Sequence, residues 1–171
     1  FGQNYVITNS GLNVGNPGGI RTSGDFSTTG GTSVLNGGTG TTIDNYWSAS
    51  VAIPFSFQFA GAAETHFMVS KNGLLSFDTT LAGTKVASNI NGNTALPNVN
   101  LPNKTLAMFW EDTSSTTIST GDHVYTIIEG TAPNRQLYVL YYSFETSGCS
   151  FAYLICWESP PERHFCCTDM H

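Results

Sequence analysis

A length of 171 residues suits one domain with a two-layer core, and a formal net charge of -6 sets the limits on partners. The six Lys and Arg are scattered at positions 21, 71, 85, 104, 135 and 163, so no basic patch neutralises several phosphates and nucleic-acid binding is excluded. Apolar runs such as Leu137 to Tyr142 are far short of the ~20 residues that span a bilayer, and charged residues make up only 11%, where about a quarter is usual. Ser, Thr, Asn and Gly fill that gap. Such a polar, nearly uncharged surface belongs to secreted and cell-surface β-proteins, or to assemblies that bury much of their exterior.

The chain opens Phe1-Gly2-Gln3-Asn4 without an initiator Met, as expected of an exported chain that has lost its signal. Residues 1 to 9 alternate, with Phe1, Tyr5 and Ile7 on one face and Asn4, Val6 and Thr8 on the other, which predicts a strand. Residues 10 to 42 hold ten glycines and few apolar residues (Ile20, Phe26, Val34, Leu35). They read as an arm or linker with at most one short edge strand.

The remaining residues, 43 to 171, read as the folded domain. Val51, Ile53, Phe55, Phe57 and Phe59 fall at period two and predict a strand. Phe67 to Ser70 and Leu74 to Phe77 flank Asn72-Gly73, a pair that supplies the positive φ of a tight hairpin. Residues 78 to 104 form an Asn-, Gly- and Pro-rich excursion. Further strands are predicted at Leu106 to Trp110, Val124 to Ile128, residues 136 to 144 and Phe151 to Trp157. No window shows the 3.6 period of a helix. The predicted fold is all-β, a β-sandwich or jelly roll with a Gly-rich N-terminal arm and strand.

Strand 136 to 144 is unusual because both faces are apolar. Tyr138, Leu140, Tyr142 and Phe144 fall on one face, and Leu137, Val139 and Tyr141 on the other. In a two-layer sandwich only one of these faces the core. The second is expected to lie under the Gly-rich arm, under the 78 to 104 excursion, or under another molecule.

Four blocks carry a family resemblance. They are Pro54-Phe55-Ser56-Phe57-Gln58-Phe59-Ala60-Gly61, Val69-Ser70-Lys71-Asn72-Gly73-Leu74-Leu75-Ser76-Phe77, Leu101-Pro102 through Ala107-Met108-Phe109-Trp110-Glu111-Asp112, and Gly130-Thr131-Ala132-Pro133-Asn134-Arg135-Gln136. In this order they resemble a β-domain of large secreted bacterial proteins that is related to nidogen-like extracellular regions. The resemblance spans about residues 46 to 158. It implies an extracellular, non-catalytic sandwich with no active site to carry over. The arm at 10 to 42 and the tail at 159 to 171 fall outside it.

Candidate sites follow from residue chemistry. Glu111 and Asp112, with Asp122 or Glu145, could offer oxygens to Ca²⁺, although no D-x-D-x-D-G loop is present. Solvation at a strand end is the expected role of the pair, ahead of calcium. His66, His123, His164 and His171 sit in no catalytic or zinc-binding motif. A zinc set of His164, Cys166, Cys167 and His171 matches no common tetrahedral spacing, so no metal, cofactor or catalytic residue is expected. Asn103-Lys104-Thr105 is a sequon and makes Asn103 a candidate glycan acceptor. Four cysteines in an exported chain allow three disulfide pairings, and Cys149 and Cys156 each joined to Cys166 or Cys167 is the expected arrangement. Arg135 is expected to donate to loop carbonyls or to a carboxylate.

Two functions are consistent with these features. The first is a structural subunit of an extracellular bacterial filament. Phe1, Tyr5, Val6 and Ile7 would form a strand donated head-to-tail to the next copy, with Tyr138, Leu140, Tyr142 and Phe144 as a candidate acceptor face. The alternative is a glycan- or calcium-binding adhesion module of a larger secreted protein. Partners are therefore copies of the chain itself or glycans.

Overall fold

The computed structural model describes residues 6–9, 29–36, 45–85, 98–112, 123–146, 149–158 and 164–170, with 6–9, 142–146, 149–158 and 164–170 described by backbone course and register alone. In chain order the strands are β1 (Val6–Asn9), β2 (Thr32–Asn36), β3 (Val51–Phe59), β4 (Ala62–Val69), β5 (Leu74–Ser76), β6 (Thr105–Ala107), β7 (His123–Thr131), β8 (Asn134–Thr146), β9 (Cys149–Glu158) and β10 (His164–Met170). There is no helix among the described residues. Two sheets form, in the orders β1-β10-β9-β8-β7-β2 and β3-β4-β5-β6. Every pairing is antiparallel except that of β1 with β10.

The period-two pattern of β3 is realised directly. Ile53, Phe55 and Phe57 are buried while Ala52, Pro54 and Ser56 are exposed. They meet Phe67 and Val69 of β4 and Leu75 of β5. The six-stranded sheet contributes Leu35, Val124, Leu137, Val139 and Tyr141 to the same core. Each of these side chains stabilises the sandwich by about 1.5–3 kcal/mol on burial, before the entropy of ordering it.

Turn chemistry explains the hairpins. Between β3 and β4, Ala60 (φ 48°) and Gly61 (φ 83°) make a two-residue turn that closes the Phe59–Ala62 pair, the type I′ geometry that suits the twist of strands. Alanine in a left-handed position costs about 1 kcal/mol relative to glycine. Ala60 is exposed, so Ala60→Gly should raise stability by about that amount, measured as a shift in urea midpoint at unchanged slope. Between β4 and β5, the Ser70 amide donates to the Leu74 carbonyl at 2.8 Å and the Gly73 amide to the Ser70 carbonyl at 3.2 Å. The loop is therefore Lys71-Asn72-Gly73, and only Gly73 (φ 73°) takes the left-handed position in it. Between β7 and β8 the chain reverses at Ala132-Pro133, a cis peptide, with Thr131 opposite Asn134.

Both faces of β8 are covered within the single chain. Leu137, Val139 and Tyr141 lie in the sandwich core, and Tyr138 and Leu140 on the other face are 0% and 1% exposed. The described part of the 78 to 104 excursion does not supply that second cover. Ala82 and Leu101 pack instead on Trp47, Met68, Leu74 and Trp110, on the outer side of the smaller sheet. In that sheet both faces are buried through the β4–β5 hairpin, where every residue from Phe67 to Phe77 is buried.

The one short edge strand allowed for the Gly-rich arm is β2, beside β7. The tail, which offered no strand pattern, forms β10 between β9 and β1. Here β1 pairs with the tail of its own chain, Val6 opposite His164 and Asn9 opposite Cys167.

Candidate functional site

Two regions concentrate the features that packing alone does not require: the outer edge of the six-stranded sheet, and a polar turn buried at the heart of the smaller one.

The edge is β1. Of the four residues expected to form a donated strand, Val6 and Ile7 lie on β1, opposite His164 and Phe165, while Phe1 and Tyr5 lie outside the described residues. Among the described residues β10 is the one neighbour of β1 in the sheet. Of the candidate acceptor face, Tyr138 and Leu140 are buried, and the Tyr138 hydroxyl donates to Gln136 Oε1 at 2.6 Å. Tyr142 is opposite His123. Phe144 does not continue their row, because the β8–β9 register slips between Tyr141 and Phe144. Two residues of β8 then oppose one of β9, and such a bulge reverses the alternation. Phe144 falls opposite Phe151, in the register set of Tyr141 and Tyr153.

The buried turn is Ser70-Lys71-Asn72-Gly73. Lys71 is 1% exposed and Asn72 0%. The Asn72 side-chain amide donates to Asn45 Oδ1 at 2.6 Å, and Asn45 holds a left-handed backbone (φ 57°) that asparagine tolerates better than most residues. Ser48 Oγ accepts the Val69 amide at 3.1 Å, and Ser70 Oγ accepts the Leu74 amide at 3.3 Å. Phe109 lies over Gly73, and the Gly73 carbonyl accepts the Met108 amide at 2.8 Å. The Asn-Gly pair marked the turn in the sequence, but nothing in the one-dimensional pattern marked it as buried, nor paired Asn72 with Asn45.

Beside this turn, Trp110 carries a φ of 26°, outside the range of a bulky side chain. Burial against Trp47, Met68 and Leu74 accompanies it. The Trp47 indole N–H is buried with no hydrogen-bond partner among the described residues. The two residues after Trp110, Glu111 and Asp112, are exposed. Asp122 lies outside the described residues and the Glu145 side chain is not described, so the set proposed for Ca²⁺ falls partly outside what the structure describes. Among the described residues no group of three His, Cys, Asp or Glu converges.

The remaining candidates are dispersed. Asn103 sits on an exposed turn where Lys104 has a φ of 57°. Its carbonyl accepts Ser76 Oγ at 2.9 Å, Thr105 Oγ1 donates to the Pro102 carbonyl at 2.7 Å, and Lys104 pairs with the buried Glu64 at 2.6 Å. His66 is exposed beside Thr65 Oγ1 at 3.0 Å. His123 is 3.5 Å from Ser33 Oγ and stacks on Tyr125. Hydrogen bonding to Thr80 holds the Asp78 carboxyl below its ordinary range. Arg135 donates to the Pro54 carbonyl at 2.9 Å, with its guanidinium 5.5 Å from the centre of the Phe55 ring. It joins β8 of one sheet to the outer edge of β3 in the other. That carbonyl donor role is the one expected of it.

In the tail, β10 holds His164 and Cys166 two residues apart, with Cys167 next along the strand. Alternation puts Cys166 and Cys167 on opposite faces of the strand, and His171 lies outside the described residues. A single zinc ion held by both cysteines does not fit a strand that keeps this alternation. Among the residues whose side chains are described, Tyr46 is the one exposed Phe, Tyr or Trp.

The chain matches no curated protein and no solved structure. A family model described as NIDO related matches residues 20–152. The match takes in the second half of the arm, with β2, and stops within β9, short of the tail strand. Its extent is well over half of the chain, it contains all four sequence blocks, and its core is the two-sheet sandwich described above. The chain belongs to the nidogen-related family.

Proposed function

We propose that this chain is a non-catalytic structural subunit of an extracellular bacterial fibre, assembled head-to-tail by exchange of its N-terminal strand. The observation that carries the reading is the position of β1. It is the outermost strand of its sheet, laddered on one side to the last strand of the chain. Among the described residues the β1–β10 ladder is the one pairing that its departure breaks. Exchange then replaces intrachain contacts with the same contacts to a neighbour, so its balance is set by concentration rather than by new chemistry. A head-to-tail contact of this kind need not close and propagates. The family supports the location, since nidogen-related domains are typically extracellular. The low charge, 11% of residues, suits a subunit that covers much of its surface with copies of itself.

Negative-stain electron microscopy of the full chain across a concentration series provides the test. Fibres whose abundance rises with concentration, and whose axial repeat is about one domain length, are expected. A chain lacking residues 1–9 should give dispersed particles with an unchanged β-sheet circular dichroism spectrum. Fibres that persist without residues 1–9 would overturn the reading.

A further inference from the structure

We propose that Cys156 and Cys166 form a cross-strand disulfide that fastens β10, the strand on which β1 sits, to β9. The antiparallel register of β9 and β10 places these two residues directly opposite each other. Residues so placed have Cα atoms about 4.5 or 5.5 Å apart, depending on the hydrogen-bonding site. Both values fall in the range that a disulfide spans. No other pairing among the four cysteines meets this condition. Cys167 is opposite Ile155, on the other face from Cys166 by alternation. Cys149 is opposite Thr146 at the far end of β9, seven positions from Cys156 and thus roughly 23 Å away along the strand. The arrangement in which Cys149 also reaches the tail therefore does not fit this register.

The position has a consequence for the sheet edge. Cys156 is opposite Tyr138 of β8, which is fully buried, and Cys166 is opposite Thr8 of β1 on its other side. A bond there ties the tail strand to the interior of the sheet at the point where β1 docks. β10 lies beyond the segment matched by the family, and the bond would add a covalent link to its ladder with β9. The inference rests on register and not on fibre assembly, and it stands or falls separately from it.

The chemistry requires an oxidant of the disulfide class, such as oxidised glutathione. One cysteine thiolate attacks that disulfide, forming a mixed disulfide and releasing one glutathione thiolate. The second cysteine thiolate then displaces the other glutathione. The protein loses two hydrogens and the oxidant gains them as two thiols.

The test uses the full chain equilibrated with a glutathione redox buffer, alkylated without reduction and digested with chymotrypsin. Cleavage after Phe151, Tyr153 or Leu154 separates Cys149 from Cys156. The expected map contains one cross-linked species joining the Cys156 peptide to the tail peptide, two hydrogens lighter than the sum of its parts. The cross-link should vanish in Cys166→Ser and persist in Cys167→Ser. Both variants are to be checked for β-sheet content, because neither serine is expected to prevent folding. The proposal is overturned if the link persists in Cys166→Ser, if it involves Cys149, or if all four thiols are alkylated.

Discussion

Gly73→Ala is expected to cost roughly 2–5 kcal/mol of stability, more than the same change at Gly30, Gly61 or Gly83, where an added methyl group meets nothing within 4 Å. Two terms combine. Gly73 has a φ of 73°, where an L-residue with a Cβ pays about 1–2 kcal/mol. A Cβ placed there would also lie 2.5 Å from the ring of Phe109, and overpacking of this kind costs about 1–3 kcal/mol. Phe109 has little room to recede, because its ring packs edge-on against Tyr141 with centroids 5.1 Å apart. Gly83 is the control. It has nearly the same φ, 74°, but a methyl group added there would meet nothing within 4 Å, so Gly83→Ala reports the backbone term alone. Urea unfolding of the two variants separates the terms, provided the slope is unchanged. Equal losses at the two positions would mean that Phe109 swings aside and that the Gly73 contact is not tight.

The second large effect belongs to Tyr141. It is 0% exposed in the core between the sheets, and its hydroxyl donates across to the Leu74 carbonyl at 3.3 Å. Tyr141→Ala should cost about 3–5 kcal/mol, as for other large aromatic truncations. Tyr141→Phe removes only the hydroxyl. It should cost about 1 kcal/mol and leave the ring packing in place.

The pH dependence distinguishes these roles. Burial pushes the Tyr141 hydroxyl far above its ordinary titration range. The folded state therefore keeps a proton that the unfolded state begins to lose near pH 10. The contribution of Tyr141 to stability is intact below that pH. It then falls by about 1.4 kcal/mol per pH unit as the pH rises further. Subtracting the pH profile of Tyr141→Phe from that of the parent chain isolates this slope. Parallel profiles above pH 10 would show that the hydroxyl reaches water.

Much of this architecture was legible in the residues. The alternation of Ile53, Phe55 and Phe57 announced β3, the Asn72-Gly73 pair announced the β4–β5 turn, and the four blocks announced the nidogen-related family. The candidate site was less legible. Asn72 meets Asn45 across 27 positions, a contact that no local pattern encodes. The bulge in β8 that moves Phe144 out of the row of Tyr138 and Leu140 depends on the partner strand, since β8 alone shows unbroken alternation of large residues. The tail strand gave no period-two signal because Phe165, Cys166 and Cys167 are adjacent and apolar, and its place in the sheet comes from pairing with β9.

The sequence by itself determined that the chain is all-β, sparsely charged and a member of its family, because period-two burial and turn-forming residues act locally on the backbone. Only the tertiary structure decided what covers each face and which strand lies at each edge. The apolar second face of β8 is compatible with a partner or with the chain itself, and burial within the single chain settles it for Tyr138 and Leu140. Pairing β1 with β10 joins residues at opposite ends of the chain, Val6 with His164. Such pairings are chosen by the closing of a whole sheet, which no segment specifies alone.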